Sequence, residues 1–132
     1  MKKVKDIMFK GKDNPVVTPR TCFREALELL NSDRLGAVNV VKDSKLVGII
    51  TDGDVRRLIL KTQEPLAEVF MKNAEEVMTV DPKAISPDLS LDDCLKILEK
   101  YKLWVIPVVD KSKKLLGLVH MQFLLKAMMV DK

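Results

Sequence analysis

The sequence is poor in the residues that build disulfide frameworks and metal sites. It has two cysteines and one histidine among 132 residues, and no CxxC or Cys/His cluster has the spacing of metal ligands. Two cysteines do not make a disulfide scaffold, so Cys22 and Cys94 are expected to be free thiols. We therefore expect a cytoplasmic protein without a structural metal.

Long apolar runs and clustered basic charge are also missing. No run reaches the roughly 18 apolar residues of a membrane span, and the longest candidate is interrupted by Lys126. The N-terminal lysines are not followed by an apolar segment, so no secretory signal is expected. The net charge of +4 is spread along the chain, and the few aromatic residues are not interleaved with basic runs. These absences argue against a membrane or nucleic-acid partner.

The chain instead contains an internal repeat within a composition typical of a globular domain, 47% apolar and 32% charged. Four segments of the first half align with four of the second half in the same order and apolar pattern. The aligned segments are 16–19 with 84–87, 26–30 with 94–98, 35–41 with 103–109 and 46–50 with 115–119. The same order over four segments indicates a tandem of two units.

Each unit reads as β-α-β-β-α, which gives an α/β (α+β) fold. A short β run ends at a Thr-Pro or Ser-Pro turn, and an amphipathic helix follows, with Thr21 and Ser90 as expected N-caps. Two β runs and a second helix complete each unit, and 66–81 is expected to be partly helical. The predicted repeats cover 1–62 and 66–132. Because a unit this small buries little alone, we expect the two to pack as a pseudo-twofold pair with clefts where they meet.

These residues resemble a tandem pair of CBS domains, also called a Bateman module. The resemblance rests on the β-α-β-β-α tandem, on 48–54 (Gly-Ile-Ile-Thr-Asp-Gly-Asp) and on 106–110 (Ile-Pro-Val-Val-Asp). The string 51–57 is similar to the regulatory tails of bacterial arabinose-5-phosphate isomerases, in which a sugar-isomerase (SIS) domain precedes the pair. It is also similar to the pairs attached to sugar nucleotidyltransferases. The SIS domain has no counterpart in this sequence.

Thr51 and Asp54 support two interpretations. Thr-x-x-Asp is close to a capping box, and could serve only to begin a helix. The resemblance implies instead that Asp54 accepts from ribose hydroxyls and Thr51 reaches phosphate, at a helix N-terminus that favours anions. Arg57 or Arg56 would pair with phosphate. The resemblance also implies a wall for the base, formed by Val17, Thr18, Ala37, Val38 and Asn39.

The second unit departs from this pattern. His120 occupies the threonine position and Phe123 the aspartate position. Phenylalanine cannot accept from a ribose diol, so this position is expected to have lost ordinary nucleotide binding or to take a different ligand. The lone His120 is kept as a possible second-site residue, although structural histidines are commoner. Trp104 is expected in the core or between the units.

Two functions remain open, and neither is catalytic, because the sequence offers no paired acid and base, phosphate loop or nucleophile elbow. The first is a regulatory module that binds an adenine nucleotide, another nucleotide or a sugar nucleotide in the cleft between the repeats. It would control an attached or partner arabinose-5-phosphate isomerase-type enzyme, and needs no cofactor beyond that nucleotide. The second is a ligand-free assembly module that forms a homodimer through its helices.

Overall fold

A computed structural model of the chain describes residues 1–130. Two short 3-10 turns, Val4–Asp6 and Gly11–Asp13, precede the first strand. The strands are β1 (Val16–Val17), β2 (Ala37–Lys42), β3 (Lys45–Thr51), β4 (Thr79–Val80), β5 (Val105–Val109) and β6 (Leu115–His120). The helices are α1 (Phe23–Asp33), α2 (Asp52–Lys61), α3 (Leu66–Phe70), α4 (Ala74–Val77), α5 (Leu91–Tyr101) and α6 (Met121–Val130). The predicted mixed α/β fold is confirmed.

The chain divides into two compact units, each with its own core. The central unit is continuous, Pro15–Pro82, and the split unit combines Met1–Asn14 with the chain from Lys83 onward. These bounds differ from the sequence repeats 1–62 and 66–132, which remain a prediction for the domains.

The central unit is built on a four-stranded sheet in the order β1-β2-β3-β4. β1 lies parallel to β2, while β2–β3 and β3–β4 are antiparallel. Buried apolar side chains of α1 pack against this sheet because they recur at helical spacing. This core comprises Val17, Phe23, Ala26, Leu30, Val38, Val40, Ile50, Val69 and Ala74.

The split unit repeats the hairpin and both helices. β5 and β6 pair antiparallel, with a register shift between Val108 and Val109 that matches the shift between Val40 and Val41 in β2. The expected strand at 84–85 is reduced to a single parallel bridge between Ile85 and Val108. Its core comprises Val4, Ile85, Leu91, Cys94, Leu98, Ile106, Val108, Val119 and Leu124.

Two short leader segments, 3–9 and 73–79, complete the two units in the same way. Leader 3–9 bridges to Ser90 through Lys3 and to Leu118 through Phe9. Leader 73–79 bridges to Cys22 through Asn73, and its Thr79 pairs with Ile49 in β3. Each leader therefore precedes one repeat in sequence but packs on the other repeat.

Two local expectations need correction. The N-cap of α1 is Cys22 rather than Thr21, because the Thr21 hydroxyl instead accepts from the backbone N–H of Thr18 at 3.0 Å. Trp104 is 72% exposed, so its predicted place in the core is wrong. Ser90 is the N-cap of α5 as predicted.

Candidate functional site

The N-terminus of α2 is organised by reciprocal bonds between Thr51 and Asp54. The Thr51 backbone N–H and hydroxyl donate to Asp54 Oδ2 at 3.0 and 3.1 Å. The Asp54 backbone N–H donates in return to the Thr51 hydroxyl at 3.2 Å. This is a complete capping box, so the predicted helix cap is confirmed, and a ligand role for the pair stays a prediction.

The other carboxylate oxygen of Asp54 faces two further donors. Arg57 Nη2 donates to Oδ1 at 2.6 Å, and the Thr79 hydroxyl from β4 donates to the same oxygen at 3.0 Å. The Asp54 side chain is only 11% exposed, whereas that of Arg57 is 61% exposed. Asp54 is thus a nearly buried acceptor whose Oδ1 partners stand at the surface.

The other predicted site residues of the central unit divide into two groups. Ala37, Val38 and Asn39 are fully buried in β2, and Ala37 pairs directly with Thr51. They therefore lie beside the Thr51–Asp54 cap. Val17 pairs with Val40, roughly 10 Å farther along β2 than Ala37 at 3.3 Å per residue. Within this unit the register therefore places Val17, and Thr18 after it, toward the opposite end of the strand.

Asn39 is a structural residue as well as a candidate for the rim. Its side-chain amide donates to the carbonyl of Pro15 at 3.0 Å, and its backbone N–H donates to the same carbonyl at 2.9 Å. The two bonds hold the entry to β1 against β2. Arg56, the alternative to Arg57 for phosphate, is exposed on α2.

His120 holds the corresponding cap in the split unit. Its Nδ1 accepts from the Gln122 backbone N–H at 3.1 Å, so that nitrogen is unprotonated and the other ring nitrogen carries the proton. Burial lowers the pKa of His120 below its ordinary value. Its ring packs edge-on against Phe123, with 5.8 Å between centroids. His120 is therefore a neutral helix cap in an aromatic setting.

One concavity of the central unit lies beside the cap rather than on it. It has a volume of about 590 Å³. Its lining includes Leu27 of α1, Arg34 just after α1, and Asp52 at the start of α2. Asp33, at the end of α1, has its pKa raised mainly by burial, with the charge of Asp52 adding to the effect. Asp54 does not line this concavity, so its volume says nothing about the predicted nucleotide position.

Thr79 is the site residue that sequence reasoning missed. The available signal was the alignment of Val77-Met78-Thr79 with Ile7-Met8-Phe9, which places the two leaders in register. The pairings Thr79–Ile49 and Phe9–Leu118 repeat that register in three dimensions.

Two classes of site are not found among residues 1–130. No group of three or more His, Cys, Asp or Glu side chains is placed to hold a metal ion. No helix in the same stretch is long and apolar enough to cross a bilayer.

Comparison with known proteins adds independent support for the repeat. The family model of the CBS domain matches residues 4–61 and 74–129. Arabinose 5-phosphate isomerase KdsD of Francisella tularensis is 36% identical over 126 residues, which cover 94% of this chain and 37% of that protein. The chain therefore spans little more than a third of the length of this relative.

Solved structures show the same fold over the whole chain. CBSX2, crystallised in complex with AMP, is 28% identical with a TM-score of 0.85, and the match covers 100% of both chains; this protein comes from Arabidopsis thaliana. The CBS domain pair of MJ0100, crystallised with 5-methylthioadenosine and S-adenosyl-L-methionine, is 25% identical with a TM-score of 0.83. That match covers 100% of this chain and 99% of the other.

Proposed function

Because the chain belongs to the CBS domain family, which its sequence matches twice, we propose that it is a regulatory module that binds an adenine nucleotide at the Thr51–Asp54 cap. The observation that carries the proposal is the carboxylate of Asp54, nearly buried yet bonded on one oxygen to exposed donors. AMP bound to the similar CBSX2 supports the choice of an adenine nucleotide.

The capping role and the ligand role are compatible in this geometry. Asp54 Oδ2 accepts from Thr51 in the helix cap, whereas Oδ1 accepts from Arg57 and Thr79. A ribose diol has two hydroxyl donors, and bonds from them to a carboxylate are charge-assisted. The diol would take the place of the two side chains at Oδ1 and leave the cap intact.

Arg57, once the ribose displaces it from Asp54, is available to bind phosphate. Arg57 keeps its charge under all ordinary conditions and pairs with phosphate in a bidentate manner. Its guanidinium also lies close over Gly53: a side-chain carbon built there would come within 3.3 Å of Nη1. Arg57 can therefore turn from Asp54 toward a phosphate near the N-terminus of α2, where the helix dipole attracts anions.

The test is direct measurement of nucleotide affinity by calorimetry with AMP, ADP, ATP, S-adenosylmethionine and CMP. Asp54→Asn should weaken the preferred nucleotide by at least about tenfold, because loss of a charge-assisted bond costs about 1.4 kcal/mol or more. Asp93→Asn is the matched control, since Asp93 occupies the same helix position in α5 but is exposed. Equal affinities in Asp54→Asn and wild type would refute the proposal.

Assembly is the second candidate function, because both second helices expose apolar side chains. Ile59 and Leu60 on α2 are 48% and 79% exposed, and Leu125 and Met129 on α6 are 42% and 73% exposed. We propose a homodimer that buries these helices. Analytical ultracentrifugation of Leu60→Glu and Leu125→Glu should show monomer. A dimer that persists in both variants would place the interface elsewhere.

The longer relatives suggest which enzyme the module would regulate. We propose that the module acts on an arabinose-5-phosphate isomerase-type SIS domain, in cis or in trans, in the cytoplasm; a sugar nucleotidyltransferase is the alternative. Regulation requires the nucleotide to prefer one arrangement of the enzyme. The nucleotide that binds wild type should change isomerase rate in a protein carrying this module and leave it unchanged with Asp54→Asn. An unchanged rate in both proteins would rule out the isomerase as the regulated enzyme.

A further inference from the structure

The split unit has direct counterparts of Asp54 and of its hydrogen-bonding partner Thr79. In the repeat register, Ile49 corresponds to Leu118. Thr79 pairs with Ile49, and Phe9 pairs with Leu118. Thr79 therefore corresponds to Phe9. The same register relates Asp54 to Phe123.

Both members of the polar pair are replaced by aromatic residues. In the central unit the Thr79 hydroxyl donates to Asp54 at 3.0 Å. In the split unit the rings of Phe9 and Phe123 meet edge to face, with 4.9 Å between centroids and 88° between planes. This geometry is one that aromatic pairs favour. Phe9 takes the position of Thr79, and Phe123 takes the position of Asp54. A ring contact in the split unit therefore replaces the hydrogen bond of the central unit.

The aromatic contact removes the acceptors that a ribose would need. Phe123 has no acceptor, and His120 Nδ1 already accepts from the Gln122 backbone N–H at 3.1 Å. The second ring, Phe9, is partly buried and is held in place by two backbone bonds to Leu118 of 2.8 and 2.9 Å. Leader 3–9 therefore brings an apolar side chain of the protein itself to the place where the central unit has a hydroxyl.

We propose that the Phe9–Phe123 contact closes the second nucleotide position and limits the chain to one nucleotide. The inference rests on the proposed function of the Thr51–Asp54 cap. It assigns to Phe9, a residue of leader 3–9, the role of an internal plug. The number of nucleotides that the chain binds is then determined by one contact between leader 3–9 and α6.

Equilibrium dialysis with radiolabelled AMP on the full chain tests the stoichiometry. Wild type should bind one AMP per chain and Asp54→Ala none. Phe9→Thr/Phe123→Asp restores the polar pair of the central unit and should bind a second AMP. Phe9→Leu/Phe123→Leu is the matched control, which removes the rings without supplying a carboxylate and should still bind one.

The outcomes separate this inference from the proposed function. Two AMP in wild type, with one remaining in Asp54→Ala, would overturn the inference and leave the proposed function standing. No AMP in wild type would overturn the inference, and no binding of any adenine nucleotide of the calorimetry panel would overturn the proposed function as well. A folded Phe9→Thr/Phe123→Asp variant that still binds one AMP would overturn the assignment of the closure to this pair. Should that variant not fold, the wild-type and Asp54→Ala counts still decide the number of sites.

Discussion

Replacing Asp54 by alanine should destabilise the protein even without nucleotide. The substitution removes four acceptor contacts: two from Thr51, one from Arg57 and one from Thr79. Three of these come from backbone or hydroxyl donors around a side chain that is 11% exposed, so solvent replaces them poorly.

The size of the effect follows from the separate contacts. Alanine keeps the backbone N–H that donates to the Thr51 hydroxyl, so the N-cap itself survives. Each hydrogen bond lost from the charged carboxylate contributes about 1.5–3 kcal/mol. The ion pair to the exposed Arg57 adds only about 0.3–0.5 kcal/mol. Because contacts within one cluster are not additive, we expect Asp54→Ala to lower the free energy of unfolding by about 2–3 kcal/mol.

Urea unfolding without ligand measures this loss. With a urea dependence of about 2 kcal/mol per molar, the midpoint should fall by about 1 M or slightly more. Far-UV circular dichroism follows both units, whereas fluorescence of the single tryptophan, Trp104, reports on the split unit. Asp93→Ala, on the exposed surface of α5, should lose only its helix-dipole contribution of about 0.3–1 kcal/mol. An Asp54→Ala midpoint no lower than that of Asp93→Ala would refute the reasoning.

Three further predictions concern titration, thiol reactivity and packing. Burial lowers the pKa of His120 from its ordinary 6.5, so the unfolded chain binds this proton more readily. Stability should therefore fall as the pH drops below about 6.5 toward the folded-state pKa. In His120→Thr, the urea midpoint should lose this part of its pH dependence. Burial raises the pKa of the Cys94 thiol to about 11, so Ellman's reagent at pH 8 should titrate Cys22 alone in the folded protein, and two fast thiols would contradict the buried core. A side-chain carbon at Gly117 would stand 2.7 Å from the Phe9 carbonyl oxygen, so Gly117→Ala should cost about 1–3 kcal/mol in urea unfolding, and an unchanged midpoint would contradict that close approach.

The sequence predicted the parts of the fold that follow from local patterns. The repeated apolar periodicity located both hairpins and the helices that follow them, and α2 begins at Asp52, directly after the predicted cap residue Thr51. Thr51–Asp54 was identified because a cap and its helix adjoin in sequence. The predicted CBS relationship is confirmed by the family match over 4–61 and 74–129.

The parts that escaped prediction depend on distant pairing. β4 has two residues and leader 3–9 pairs through single bridges, so neither carries a periodic signal. Thr79 reaches Asp54 only through that pairing, and Phe9 reaches Phe123 in the same way. Trp104 was expected in the core or between the units, but it is largely exposed, and Leu103 is the partly buried neighbour that packs on the core.

Each leader packs on the repeat that it does not precede, and this has a consequence for the order in which the two units fold. The central unit is one continuous stretch of chain and can close as soon as it has been synthesised. Leader 3–9 is synthesised before the central unit, yet β6, the strand that it joins through Leu118, is synthesised after it. Closing that long loop carries a larger entropic cost than closing the short loops of the central unit. Leader 3–9 therefore stays unpaired while the central unit is synthesised, and the split unit is the later of the two to form.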